Sequence, residues 1–179
     1  MRCSIFIDGN NFYHGLRRLY GKDAVLKKFN YSSFCKFLAG ENEIINIAYY
    51  NASLDKPENP KKFNSQKEFI DSLRRVNKLK LVLCKLLKRG IKGTNKYYYV
   101  LKEDDIQMAV DIVEGACDDN FDLAIIVSGD GDFVPAVRAV QRRKKLVKNI
   151  YFKTSSSRIL KAISNSSIEL TKSLLDKFL

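Results

Sequence analysis

Histidine, tryptophan and proline are scarce or absent in this chain. Its 179 residues include one histidine, no tryptophan and three prolines. The four cysteines lie far apart and form no C-x-x-C pair, so we expect reduced, buried thiols and no structural zinc site. No apolar run approaches the length of a signal peptide or a membrane span. A cytoplasmic protein without membrane contact is therefore expected.

Acidic residues are also few, and their distribution is uneven. The chain has 20 acids against 32 bases, a net charge of +12. Ten of the 20 acids lie between Glu103 and Asp132, a stretch without lysine or arginine. By contrast, residues 72–102 and 133–168 contain ten and nine bases and no acid. This balance favours a polyanionic partner, with nucleic acid as the first expectation.

Apolar periodicity predicts alternating strands and helices in one domain, residues 1–179. The second helix is expected to open at Ser32 or Ser33. Residues 121–127 are uniformly apolar, which is typical of a central strand in a parallel sheet. The predicted strands cover residues 2–7, 43–51, 79–87, 97–101, 121–127 and 145–152. The predicted helices cover residues 12–20, 31–38, 61–77, 104–118, 133–140, 157–163 and 171–178.

Acids follow two of the predicted strands. Asp8 ends the first strand, and Asp130 and Asp132 come directly after the central one. The carboxyl ends of parallel strands meet at one edge of a sheet, where α/β proteins bind ligands. For Asp8 a helix N-cap is an equally good interpretation.

The helix predicted at 104–118 carries an acid at its start. At about 100° per residue, Asp105 falls on the apolar stripe and Asp104 on the opposite side. An acid on a buried face costs several kcal/mol unless it is paired or metal-bound, although a capping role for Asp105 is the alternative. The predicted apolar side is Ile106, Met108, Ala109, Val110, Ile112, Val113, Ala116 and Cys117.

Carboxylates that converge repel one another, and a shared divalent cation relieves this repulsion. Oxygen ligands suit Mg²⁺ or Mn²⁺, which activates water and stabilises charge on a phosphoryl group. The flanking bases indicate a phosphodiester substrate. The predicted metal-binding and catalytic residues are Asp8, Asp105, Asp130 and Asp132. Basic side chains contact phosphates, and aromatic side chains among them stack on nucleobases. The predicted nucleic-acid-binding residues are Lys96, Tyr98, Arg142, Arg143, Lys144 and Lys145.

Three segments together resemble the signatures of NYN domains of the LabA-like group, in the PIN-like nuclease superfamily. They are Ile5-Phe6-Ile7-Asp8-Gly9-Asn10-Asn11, Lys102-x-x-Asp105-Ile106 and Val127-Ser128-Gly129-Asp130-Gly131-Asp132-Phe133-Val134-Pro135. The resemblance implies a three-layer α/β/α Rossmann-like fold with a mainly parallel sheet, a Mg²⁺ or Mn²⁺ site and cleavage of RNA. It also implies that Asn11 orients a ligand and that Ser128 supports the turn. Asp104 stands where the family commonly has an apolar residue, so it is an additional candidate ligand.

The leading hypothesis is a metal-dependent endoribonuclease acting on single-stranded RNA. A homodimer or a protein partner is the further expectation for the choice of target. The alternative from another class is an RNA-binding regulatory module with little catalytic activity that keeps the acidic pocket. A Toprim-type fold would fit Asp130 and Asp132 but usually has Glu where Asp8 stands. A haloacid-dehalogenase-type phosphatase would require an acid in place of Asn10.

Overall fold

Strands and helices alternate along most of the chain, as the apolar periodicity predicts. The computed structural model describes residues 1–21, 28–53, 60–90, 93, 97–101 and 103–179, without the side chains of residues 52, 53, 60–66, 85–89 and 97–101. The strands are β1 (Arg2–Asp8), β2 (Glu43–Ser53), β3 (Leu79–Gly90), β4 (Tyr97–Leu101), β5 (Leu123–Val127), β6 (Leu146–Tyr151) and β7 (Ser166–Glu169). The helices are α1 (Gly9–Tyr20), α2 (Tyr31–Ala39), α3 (Pro60–Arg74), α4 (Asp104–Cys117), α5 (Val134–Arg142), α6 (Arg158–Ile163) and α7 (Lys172–Leu175).

The strands form one sheet in the order β4-β3-β2-β1-β5-β6-β7. All neighbours are parallel except β4, which pairs antiparallel with the second half of β3. This confirms the predicted, mainly parallel sheet. Strand β7 was not predicted, because its four residues, Ser-Ser-Ile-Glu, are mostly polar and form a partly exposed edge strand.

The central strands of the sheet are buried on both faces. Every residue of β5 is buried, and so is every residue of β1 from Cys3 to Asp8. Helices α1, α2, α3 and α7 pack on one face through side chains such as Phe12, Phe34 and Leu73. Helices α4, α5 and α6 pack on the other face through residues such as Met108 and Val137. The three-layer α/β/α architecture is thereby confirmed.

Two local predictions are wrong. Helix α2 is capped by Asn30, whose Oδ1 accepts a hydrogen bond from the Ser33 N–H at 2.9 Å, so neither Ser32 nor Ser33 is the cap. Cys3, Cys35 and Cys84 are buried thiols as expected, but Cys117 is exposed. None of the helices in the described ranges is both long and apolar enough to cross a membrane.

Candidate metal centre

Asp8 lies where β1 becomes α1, at the carboxyl-terminal edge of the sheet. Its Oδ1 accepts a hydrogen bond from the Asn11 N–H at 2.8 Å, which caps α1. Its Oδ2 accepts one from the Ser128 hydroxyl, also at 2.8 Å. The side chain is only 5% exposed. Asp8 is therefore both the N-cap that the sequence allowed and a buried carboxylate at the predicted edge.

Helix α4 begins at the same edge and brings a second acid inward. The buried acid is Asp104, 5% exposed and in line with Met108, Ile112 and Ala116, whereas Asp105 is partly exposed. The prediction that Asp105 occupies the buried stripe is wrong. The eight apolar residues of α4 cover most of its circumference, so the pattern permits more than one rotation against the sheet. In the rotation adopted, Ile106, Val110 and Cys117 face outward, again contrary to expectation.

Asp8, Asp104 and Asp105 converge on one point. One carboxylate oxygen from each lies within 4.8 Å of the others. Burial raises the pKa of Asp8 to about 6, and the charges of Asp104 and Asp130 add to this against its two hydrogen bonds. Burial also raises the pKa of Asp105 to about 7, with further contributions from the charges of Asp104 and Asp8. The pKa of Asp104 is raised by burial too. The cluster therefore resists carrying three negative charges by itself.

A divalent cation suits this donor set. All three donors are carboxylate oxygens, which Mg²⁺ and Mn²⁺ prefer. The ion pairs found among the described residues involve other acids, namely Asp71, Asp119 and Asp122. No arginine or lysine in that part of the chain thus neutralises the cluster directly. A bound cation would supply the missing positive charge.

The turn after β5 lies beside this cluster. Ile7 and Val127 are paired in register, so Asp8 and Ser128 come next to each other. The Ser128 hydroxyl donates to Asp8 and accepts the N–H of Asp130 at 3.1 Å. Asp130 accepts the N–H of Asp132 at 3.0 Å. Asp130 and Asp132 stand outside the three-carboxylate group, yet their charges contribute to the raised pKa of Asp105.

Asn11 joins this turn to the segment after β6. Its Oδ1 accepts the Gly129 N–H at 3.3 Å and the Ser155 hydroxyl at 3.2 Å. The Ser157 N–H donates to the Gly129 carbonyl at 2.8 Å. A Cβ at Gly129 would collide with the carbonyl oxygen of Ser155. Asn11 therefore positions the backbone around the acids, and glycine is required where two chain segments meet.

Sequence reasoning missed Asn149, whose side chain contacts the same turn from the neighbouring strand β6. It is 1% exposed in β6, and its Nδ2 donates to the Ser128 carbonyl at 2.8 Å. Its Oδ1 is buried, with no hydrogen-bond partner in the described part of the chain. A single amide between the apolar Val147 and Ile150 was the available signal, since a buried polar side chain requires a partner.

The predicted basic cluster is not at this site. Arg142 to Lys145 end α5 and precede β6, so they lie at the opposite, amino-terminal edge of the sheet. The six residues of β6 separate the two edges by about 20 Å. Lys145 is already paired with Asp119 and Asp122. Lys96 lies outside the described residues. Only the backbone of Tyr98 is described; it lies in β4 and pairs with Arg89 of β3.

Two other bases are nearer to the acids, and the sequence did not single them out. Lys153 and Arg158 are exposed, at the two ends of the segment that contacts Asn11 and Gly129. Arg18 extends the positive charge along this side, because its Nη1 donates to Thr154 at 3.3 Å. Lys153 and Arg158 therefore form a basic rim at the carboxyl-terminal edge of the sheet, where the acids lie, whereas Arg18 is in the last turn of α1.

Comparison with known proteins agrees with the observed fold. The profile of the NYN domain matches residues 2–171. Among solved structures, the chain is similar to VPA0982, a protein of unknown function from Vibrio parahaemolyticus, with 25% sequence identity and a TM-score of 0.71. That alignment covers 96% of this chain and 93% of the other. Comparison with curated proteins gives no match.

Proposed function

This chain belongs to the NYN domain family of the PIN-like nuclease superfamily, and we propose that it is a metal-dependent ribonuclease. The observation that carries the proposal is the convergence of Asp8, Asp104 and Asp105 within 4.8 Å, with raised pKa values and no described basic partner. Such a cluster is unfavourable for folding alone and favourable for holding a divalent cation.

Asp8, Asp104 and Asp105 would hold Mg²⁺ or Mn²⁺ directly. The charges of Asp130 and Asp132 contribute to the raised pKa of Asp105, and these two acids are proposed to contact the cation or its water ligands. When bound, the cation would supply an activated water and positive charge against a phosphoryl group. Ser128 keeps the Asp8 carboxylate in place through its hydroxyl. Asn11 fixes the Gly129 backbone beside it.

RNA is the proposed substrate. Domains of this family generally act on RNA, and the chain carries a net charge of +12. The rim bases Lys153 and Arg158 are exposed at the same edge of the sheet as the acids, and we propose that they contact the phosphates of a single strand. We propose endonucleolytic cleavage, with the RNA strand crossing the carboxyl-terminal edge of the sheet.

The test is cleavage of single-stranded RNA, labelled at one end, with Mn²⁺ or Mg²⁺ and with EDTA. We expect metal-dependent cleavage that Asp104→Asn lowers by at least about a hundredfold, within the range that one group acting on the transition state contributes. Asp71→Asn is the matched control, since Asp71 is paired with Arg74 on α3, away from the centre. Labelled products many nucleotides shorter than the substrate, formed without a ladder of single-nucleotide steps, would identify endonucleolytic cleavage.

Two results would reject the proposal. The first is undiminished cleavage by Asp104→Asn, which would indicate a contaminating nuclease or another site. The second is RNA binding without cleavage in either metal, which would identify the chain as the regulatory RNA-binding module considered above.

A further inference from the structure

Helix α4 exposes an apolar row that the acidic centre does not use. Ile106 is 68% exposed and Val110 is 42% exposed. Cys117 is also exposed. These residues are four and seven positions apart, so they lie above one another on one side of the helix. Apolar side chains exposed along one side of a helix in this way are typical of an interaction surface.

Opposite charges border this row on its two sides. Asp111 accepts a hydrogen bond from Tyr50 of β2 at 2.7 Å, which shows that its side of α4 faces away from α5. Glu114 and Asp118 are exposed on that side, between Asp111 and the apolar row. On the other side of the row lies α5, whose exposed face carries Arg138 and Arg142. These four charged residues have no ion-pair partner within the described part of the chain.

The acids and the arginines also lie at the same height. Helices α4 and α5 both run from the carboxyl-terminal to the amino-terminal edge of the sheet, because each precedes a parallel strand. Their following strands, β5 and β6, start in register at Leu123 and Leu146. Asp118 and Arg142, five and four residues before these positions, therefore end their helices at about the same level.

We propose that this face binds a second copy of the chain about a two-fold axis parallel to α4. Rotation about such an axis exchanges the two sides of the apolar row and preserves height. The acids of one copy then oppose the arginines of the other. A two-fold axis perpendicular to α4 would instead place acids against acids and arginines against arginines, which is repulsive.

This arrangement makes a specific geometric prediction. Side chains beside the axis meet the same side chains of the partner copy, so the two Ile106 side chains and the two Val110 side chains pack together. The two Cys117 thiols approach each other across the axis. The proposal does not depend on the ribonuclease activity, since it rests on the outer face of α4 and α5.

Light scattering and sedimentation of the purified chain should give a dimer. Ile106→Lys and Val110→Lys should each raise the dimer Kd by about tenfold or more, because a charge would enter the apolar centre of the interface. Ile159→Lys is the matched control, since Ile159 is 59% exposed on α6, outside this face. Circular dichroism checks that each variant is folded. A monomer at all concentrations, or a dimer that Ile106→Lys leaves intact, would overturn the proposal.

Two further experiments test the direction of the axis. Mild oxidation with copper phenanthroline should give a disulfide-linked dimer that disappears in Cys117→Ser. Exchanging Glu114 and Asp118 for arginine should weaken the dimer, and adding Arg138→Glu and Arg142→Glu should restore it. A dimer without the Cys117 cross-link, or without rescue by the second exchange, would rule out the parallel arrangement.

Discussion

The acidic centre should make the metal-free protein less stable as the pH rises from 5 to 8. The folded-state pKa values of Asp8 and Asp105, about 6 and about 7, lie above the ordinary value of 3.8. Between pH 3.8 and these folded-state pKa values, the folded chain therefore binds more protons than the unfolded chain. Stability is greatest with both carboxyls protonated and is lost as the pH rises through the folded-state pKa values.

The size of the effect follows from Asp8, the more deeply buried of the two. Its pKa lies about 2 above the ordinary value, and each unit of pKa difference corresponds to about 1.4 kcal/mol. Ionisation of Asp8 should therefore cost about 3 kcal/mol of unfolding free energy. This loss is spread between pH 3.8 and pH 6, so about half of it, about 1.5 kcal/mol, falls between pH 5 and pH 8. In a chain of this size, that lowers the Tm by roughly 3 to 6 °C over this range. Asp105 acts in the same direction but is partly exposed to water, which screens its charge.

Thermal unfolding in EDTA at pH 5, 6, 7 and 8 measures this slope. The Asp8→Asn variant should flatten it, whereas Asp71→Asn should leave it unchanged. Mn²⁺ at pH 8 should restore the lost stability, since a ligand that binds only the folded state stabilises it by mass action. A Tm in EDTA that stays constant or rises between pH 5 and pH 8 would refute the reasoning.

Two other predictions concern the surroundings of the acids. Gly129→Ala should lower the Tm and should lower the cleavage rate by about tenfold or more, because its Cβ collides with the Ser155 carbonyl. The control is Gly90→Ala, where a Cβ meets nothing nearby. An unchanged cleavage rate in Gly129→Ala would mean that the turn adjusts without cost. The double variant Lys153→Gln with Arg158→Gln should weaken RNA binding and reduce the slope of log K against log salt by the equivalent of about two phosphate contacts. Substitutions within 142–144, at the opposite edge, should reduce that slope less. Equal salt slopes in the two variants would contradict the assignment of the rim.

The fold was predictable because its strongest signals are local. The apolar run at residues 123–127 and the polar residues that follow Ile7 and Val127 each appear as a short pattern in the sequence. The parallel sheet then places these two strand ends at one edge, so the proximity of Asp8 and Ser128 followed from topology alone. Strand β7 lacks such a local signal and was missed.

The buried acid was mispredicted because a helix pattern gives spacing but not rotation. Asp104 and Asp105 are adjacent, and a rotation of one residue exchanges their environments. Only the packing of α4 against β1, β2 and α5 selects the rotation that buries Asp104 with Met108. The exposed row of Ile106 and Val110 follows from the same rotation.

The basic cluster shows a different limit, since charge density along a chain does not give position in space. Residues 142–145 are the densest run of bases, but they precede a parallel strand, which places them at the edge opposite the acids. Lys153 and Arg158 are isolated in sequence, but they follow the strand and so come to the acidic edge. In a parallel sheet, bases just after a strand lie nearest a site at the carboxyl edge. That position, rather than local charge density, identifies the residues on which an RNA-binding surface should be tested first.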